Sequence, residues 1–81
     1  MKVCVKLFAV AREIAGRDVV EVELAPGATI ADLRRTIAAE QPALSNVLSH
    51  ALWAVDATYA GDDICLNERS NVALIPPVSG G

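Results

Sequence analysis

The stretch KVCVKLF near the start alternates. Val3, Val5 and Leu7 fall on one face, and Lys2, Cys4, Lys6 and Phe8 on the other, the period-2 pattern of a half-buried strand. AVAREIAG follows, a short helical turn with Gly16 placed to cap its C-terminus. DVVEVEL alternates again, setting Val20, Val22 and Leu24 against Val19, Glu21 and Glu23, and APGAT reads as a turn. Strands this close in sequence predict an antiparallel pair. TIADLRRTIAAEQP then changes the period: Ile30, Leu33 and Ile37 stand at i, i+3 and i+7, with Arg34, Arg35 and Glu40 off that stripe. Thr29 and Asp32 make a variant capping box at its start, and Pro42 stops the helix. Beyond it the pattern weakens. Residues 51–55 read as a short strand before a turn at Asp56-Ala57, Asp62-Asp63 as a loop, ICL as a brief edge strand, NERSN as a turn and VALI as the last strand.

The order strand, strand, helix, short strands, strand is satisfied by an α+β fold in which a mixed sheet wraps over one main helix, so that each element buries its single apolar face. This is the β-grasp, or ubiquitin-like, layout. By analogy with that fold, the last strand lies beside the first, parallel to it and in the middle of the sheet. With 81 residues there is room for one domain. We divide the chain into a body at residues 1–75 and an extended tail at residues 76–81.

Composition narrows the possibilities. The chain is 53% hydrophobic but has only three aromatic residues, Phe8, Trp53 and Tyr59, so its core is mostly aliphatic. A net charge of −3 argues against a nucleic-acid partner, which needs a basic footprint. Cys4 and Cys65 have neither CxxC spacing nor clustered histidines, so reduced thiols are expected rather than a disulfide or a metal site. No signal peptide is expected, because Lys6, Arg12 and Glu13 interrupt the apolar stretch near the start, and no membrane span, because no run of about 20 apolar residues exists; a cytoplasmic protein fits both readings.

The end of the chain, VALIPPVSGG, raises the functional question. Pro76 and Pro77 offer no backbone donors, and Gly80 and Gly81 have no side chains, so these residues contribute little to a fold. Six extended residues reach roughly 20 Å. The prolines stiffen the root of this tail, and the glycines make a tip thin enough for a tunnel that any Cβ would block. Ordering six residues costs about 6–12 kcal/mol of backbone entropy, which a partner must offset. The only reactive group at the tip is the α-carboxylate of Gly81, a poor electrophile until it is converted to an acyl-adenylate. The chain has no phosphate-binding GxxxxGK[ST] loop and no base–nucleophile constellation, so any ATP chemistry belongs to a partner. An inert, frayed terminus is the competing reading.

KLFAVAREIAG and VALIPPVSGG, with the helix ATIADLRRTIAAEQP between them, resemble the small, sulfur-carrier subunits of molybdopterin synthase over essentially the whole chain. The resemblance implies that Gly81 is adenylated by a ubiquitin-activating-like enzyme using ATP and becomes a thiocarboxylate. It implies that the tail enters the large synthase subunit, in a hetero-oligomer, and gives its sulfur to cyclic pyranopterin monophosphate. Gly80 would then permit access, Val78 and Ser79 would lie in the partner's channel with Pro76 and Pro77 at its mouth, and no cofactor or metal would be held by this chain. Two departures stand out: Leu74-Ile75 replaces the aromatic residues common before the prolines, and Ser70-Asn71 replaces a Gly-Asp turn, where Asn71 is expected to tolerate positive φ. Carriers for thiazole or cysteine biosynthesis, and ubiquitin-like protein modifiers, share the same tail logic.

The remaining candidates are surface residues. Phe8 and Ile75 are expected to form an exposed apolar patch that meets a partner. Arg12 reads either as a partner contact or as a solvated arginine. Cys4, between two lysines, reads as a semi-exposed strand cysteine, with a reactive persulfide role as the alternative. Cys65 is expected to pack, Trp53 to cap the core edge and His50 to be structural or exposed. Asp62-Asp63 is expected to be a solvated loop without the spacing of a metal site.

Overall fold

A computed structural model describes residues 1–77. The chain runs β1 (Lys2–Leu7), α1 (Ala9–Ala15), β2 (Val19–Glu23), α2 (Ile30–Glu40), a 3-10 turn (Pro42–Leu44), α3 (Ser45–Leu48), β3 (Leu52–Val55), β4 (Thr58–Tyr59) and β5 (Val72–Ile75). The alternation in β1 and β2 is realised residue for residue: Val3, Val5, Leu7, Val20, Val22 and Leu24 are all buried. The two strands pair antiparallel, with Val3 opposite Val22 and Val5 opposite Val20, so both apolar sets face the same side.

The sheet order is β2-β1-β5-β3-β4. β5 is parallel to β1 and antiparallel to β3, and therefore central. This is the β-grasp arrangement. Helix α2 lays Ile30, Leu33 and Ile37, each at most 1% exposed, across the apolar face of the sheet. Leu44, Leu48, Trp53, Leu66 and Leu74 complete the core. Trp53 is buried within that core rather than perched at its rim. Among the described residues, no helix is long and apolar enough to cross a membrane.

The caps follow the sequence. Gly16 takes the left-handed conformation, φ 72°, and its N–H donates to Arg12 O at 2.9 Å. The Thr29 N–H donates to Asp32 Oδ2 at 2.9 Å, while the Asp32 N–H donates to Thr29 Oγ1 at 3.4 Å, a reciprocal capping box. The bond from the Thr29 backbone is the main reason the Asp32 carboxyl titrates below its ordinary value of 3.8. A depressed folded value means the cap's contribution is complete above that ordinary value and is lost as the pH falls through the lower folded one. Thr29→Ala is expected to cost about 1 kcal/mol. Urea titrations of both proteins at neutral pH and near pH 3 should show the difference shrinking in acid.

The structure departs from the sequence reading between residues 42 and 71. Residues 42–48, where the sequence pattern is weak, form a 3-10 turn and a one-turn helix. The edge strand is Thr58–Tyr59, while ICL contributes only an isolated bridge between Cys65 and Thr29. The β3–β4 hairpin turns through Asp56 and Ala57, both at positive φ (51° and 67°), as the twist of a two-residue hairpin loop requires. Asn71, expected to supply positive φ before the last strand, does not. Instead Ser70, 8% exposed, accepts the Asn67 N–H on its Oγ at 3.0 Å, and the Asn71 N–H donates to Asp56 Oδ1 at 3.0 Å. A buried hydroxyl and a cross-turn carboxylate do there what a glycine does elsewhere.

Candidate functional site

The site is where the chain leaves the body. In β5, Leu74 pairs with Leu7 of β1 and with Trp53 of β3, and Ile75 pairs with Leu52. The strand therefore exits from the middle of the sheet, flanked by the β1–α1 junction on one side and by the residues leading into β3 on the other. Pro76 is buried and Pro77 is exposed. Val78, Ser79, Gly80 and Gly81, which carry the tip chemistry in the sequence reading, lie outside the described residues.

Two surfaces flank this root. The first is on the open face of the sheet. Phe8 and Ile75 come together there with Ala54, Ala57, Tyr59 and Ala73 around a shallow depression of about 320 Å³. Phe8 is not in the strand, which ends at Leu7. It is the residue before α1, but its extended backbone (φ −130°, ψ 156°) carries the alternation one step further and keeps it on the open side. Phe8 is 42% exposed, Leu52 57% and Tyr59 71%.

The second surface lies on the other side of the root. Val10 of α1, Asn46 and Val47 of α3, and His50 line a groove of about 640 Å³ with Ala9, Pro76 and Pro77. Its walls carry no Asp, Glu, Lys or Arg side chain. The Ser49 hydroxyl donates to Asn46 O at 2.7 Å, and His50 Nδ1 lies 2.9 Å from that hydroxyl and 3.2 Å from the same carbonyl. This is the hydrogen bonding of a helix end, not an activated nucleophile.

The β1–β2 part of the open face is mainly polar, with Val19 exposed among the charged residues. Lys2 stands opposite Glu23, Cys4 opposite Glu21 and Lys6 opposite Val19. The Cys4 thiol lies 3.8 Å from Glu21 Oε2, a cross-strand neighbour that reading along the chain, lysine to lysine, could not show. Cys65 is exposed rather than packed, because the adjacent Leu66 takes the core position in that segment. Arg12 is exposed on α1 and makes no ion pair among the described residues. Asp62 is not simply solvated: Arg34 donates to it through two bonds, which hold its carboxyl below the ordinary value. No group of three or more His, Cys, Asp or Glu side chains suited to a metal ion occurs among the described residues.

The β-grasp body thus carries an apolar depression beside the root of the chain end, and the sequence after β5 reads Pro-Pro-Val-Ser-Gly-Gly. The family model described as the ThiS family matches residues 5–81. The chain belongs to the ThiS family. It is 39% identical to the molybdopterin synthase sulfur carrier subunit of Chlamydomonas reinhardtii, with both chains covered completely. It is 31% identical to the subunit of the same name from Arabidopsis thaliana, over 100% of this chain and 84% of that one. In three dimensions it superposes on SAMP1 of Haloferax volcanii with a TM-score of 0.88 at 30% identity, over 100% of both chains. The resemblance read from the two ends of the sequence thus extends through the weakly patterned middle.

Proposed function

We propose that this ThiS-family chain is the sulfur-carrier subunit of a molybdopterin synthase. The observation that carries the proposal is a Gly-Gly carboxyl end following a central strand on a β-grasp body, joined to full-length similarity with subunits of that name. The Gly81 carboxylate attacks the α-phosphate of ATP on an activating enzyme, releasing pyrophosphate and forming an acyl-adenylate. A hydrosulfide equivalent then displaces AMP, leaving a thiocarboxylate in which one oxygen has become sulfur. On the large synthase subunit that sulfur attacks a side-chain carbon of cyclic pyranopterin monophosphate and displaces the oxygen substituent that the carbon carries, so that a carbon–sulfur bond replaces a carbon–oxygen bond. Water cleaves the resulting acyl–sulfur bond, which leaves the sulfur on the pterin and restores the carboxylate. Two such deliveries make the dithiolene. The body supplies no acid, base or metal; its work is to hold Gly81 at the end of a narrow reach and to dock. Gly80 keeps the tip thin, Val78 and Ser79 occupy the channel, and Pro76 and Pro77 sit at its mouth.

Docking falls to the open-face patch of Phe8 and Ile75, with Arg12, exposed on α1, as a further contact. Phe8→Asp places a charge among apolar neighbours while leaving the core untouched. It is expected to weaken large-subunit binding at least tenfold, about 1.4 kcal/mol, with an unchanged unfolding midpoint. Calorimetric titration against the large subunit checks this. The carrier assignment itself is tested by intact mass after incubation with the cognate activating enzyme, ATP and a sulfur donor. Replacement of one oxygen by sulfur supports it, and an unaltered mass with a competent enzyme refutes it.

A second reading has an observation of its own. A further structure of the Haloferax volcanii protein describes it as small archaeal modifier protein 1, and this chain matches it with a TM-score of 0.85 at 28% identity. The same acyl-adenylate could then pass to lysines of other proteins. Lysine-linked Gly81 adducts in cells would establish that role, and their absence under conditions that load sulfur would leave carriage as the function.

A further inference from the structure

We propose that Ala57 is a specificity-determining residue of the open-face depression, held in a costly backbone conformation because its methyl group meets the large synthase subunit there. This inference rests on the docking reading above.

Three residues other than glycine take positive φ among those described: Ala9, Asp56 and Ala57. Ala9 opens α1, directly after the end of β1 and Phe8. Asp56 and Ala57 are the two central residues of the β3–β4 hairpin, whose flanking residues Val55 and Thr58 pair. A two-residue loop of this hand needs the left-handed region at both positions, and Asp-Gly is a favoured pair for it. Here the pair is Asp-Ala, which puts a Cβ where a Cβ is strained.

Asp56 accounts for its place. Its N–H donates to Asn71 O at 2.9 Å, and its Oδ1 accepts the Asn71 N–H at 3.0 Å, so it ties the hairpin to the start of β5. Aspartate is also among the residues that tolerate this conformation. Ala57 has no such duty in the body. It is exposed, its side chain forms no hydrogen bond, and it belongs neither to the core nor to the residues packed against the core. Glycine would serve the turn at less cost. The chain does use glycine where a side chain would gain nothing: at Gly16 (φ 72°) and Gly27 (φ 83°), an added Cβ would find no atom within 4 Å.

What Ala57 does have is a place in the depression, which it lines with Phe8, Ala54, Tyr59, Ala73 and Ile75. None of these side chains carries a charge at neutral pH, so the depression suits an apolar side chain of the partner. Strain kept at a position that does nothing for the fold points to a contact made outside it.

The test uses the full-length chain, with affinity for the large subunit measured by titration and stability by thermal unfolding. Ala57→Gly removes the methyl group and relaxes the turn. It is expected to raise the unfolding midpoint by at least about 2 °C while weakening binding about fourfold, which is about 0.8 kcal/mol, the worth of one buried methylene. Ala57→Asp separates a lost contact from a loosened turn, because aspartate keeps the backbone restricted and tolerates its conformation. It is expected to leave the midpoint within about 2 °C of the parent and to weaken binding at least tenfold. A midpoint that is unchanged or lower in Ala57→Gly overturns the proposal, since the alanine would then cost the fold nothing. Parental affinity in either variant overturns it as well. If Phe8→Asp is weakened and the Ala57 variants are not, this proposal alone fails; if Phe8→Asp also binds as the parent does, the docking reading fails with it.

Discussion

Deleting Gly81 is expected to abolish thiocarboxylate formation and pterin product while leaving the body unchanged. Leu74 and its neighbours on β1 and β3 close the core, and Pro76 is the last buried residue among those described. Gly81 has no side chain and is no part of the core formed by the described residues, so the unfolding midpoint is expected not to move. Docking through Phe8 and Ile75 should persist, because neither surface at the root is altered. Chemistry should nevertheless stop, since the new terminal carboxylate on Gly80 falls short by one residue, about 3.5 Å, of the place where the partner's reacting atoms are arranged. Circular dichroism, titration against the large subunit and intact mass read the three parts separately. Retained loading in the truncated chain would show that the reach of the tail is not decisive.

Leu74→Ala is expected to fail in the opposite way. Leu74 is fully buried on the central strand, between Leu7 and Trp53, and three residues before the last described one. Truncating it should cost about 2–5 kcal/mol through lost burial and a residual cavity. A chain of 81 residues has a total stability of only about 4–12 kcal/mol. The melting midpoint should therefore fall by more than about 10 °C. Loading by the activating enzyme should decline on warming in step with the folded fraction and recover on cooling. A midpoint within about 2 °C of the parent would mean that the strand feeding the tail is not held as its burial implies. Set side by side, the two variants separate a tail that reacts from a body that presents it.

Much of this was legible in the chain. Period-2 alternation named the buried faces of β1 and β2, because only one side of each strand meets the core. The stripe and capping box named α2 for the same kind of local reason. Phe8 and Ile75 could be put together because the β-grasp analogy placed the last strand beside the first. What could not be read has its origin in long-range contacts. The Glu21 carboxylate beside Cys4 depends on strand register. The role of Ser70 depends on a buried turn, and the exposure of Cys65 on Leu66 taking the core position. The groove behind the root joins α1, α3 and β5, three segments that no local window spans.

The central claim is that sulfur rides on the terminal carboxyl group rather than on a cysteine. Both thiols are exposed, so the alternative is chemically open to this molecule. Fragment-ion mass spectrometry of the loaded protein decides between them. The account predicts an oxygen-for-sulfur replacement confined to Gly81, which disappears when the large subunit and the pyranopterin precursor are added. Sulfur found as an added atom on Cys4 or Cys65, with an unaltered Gly81, would contradict it.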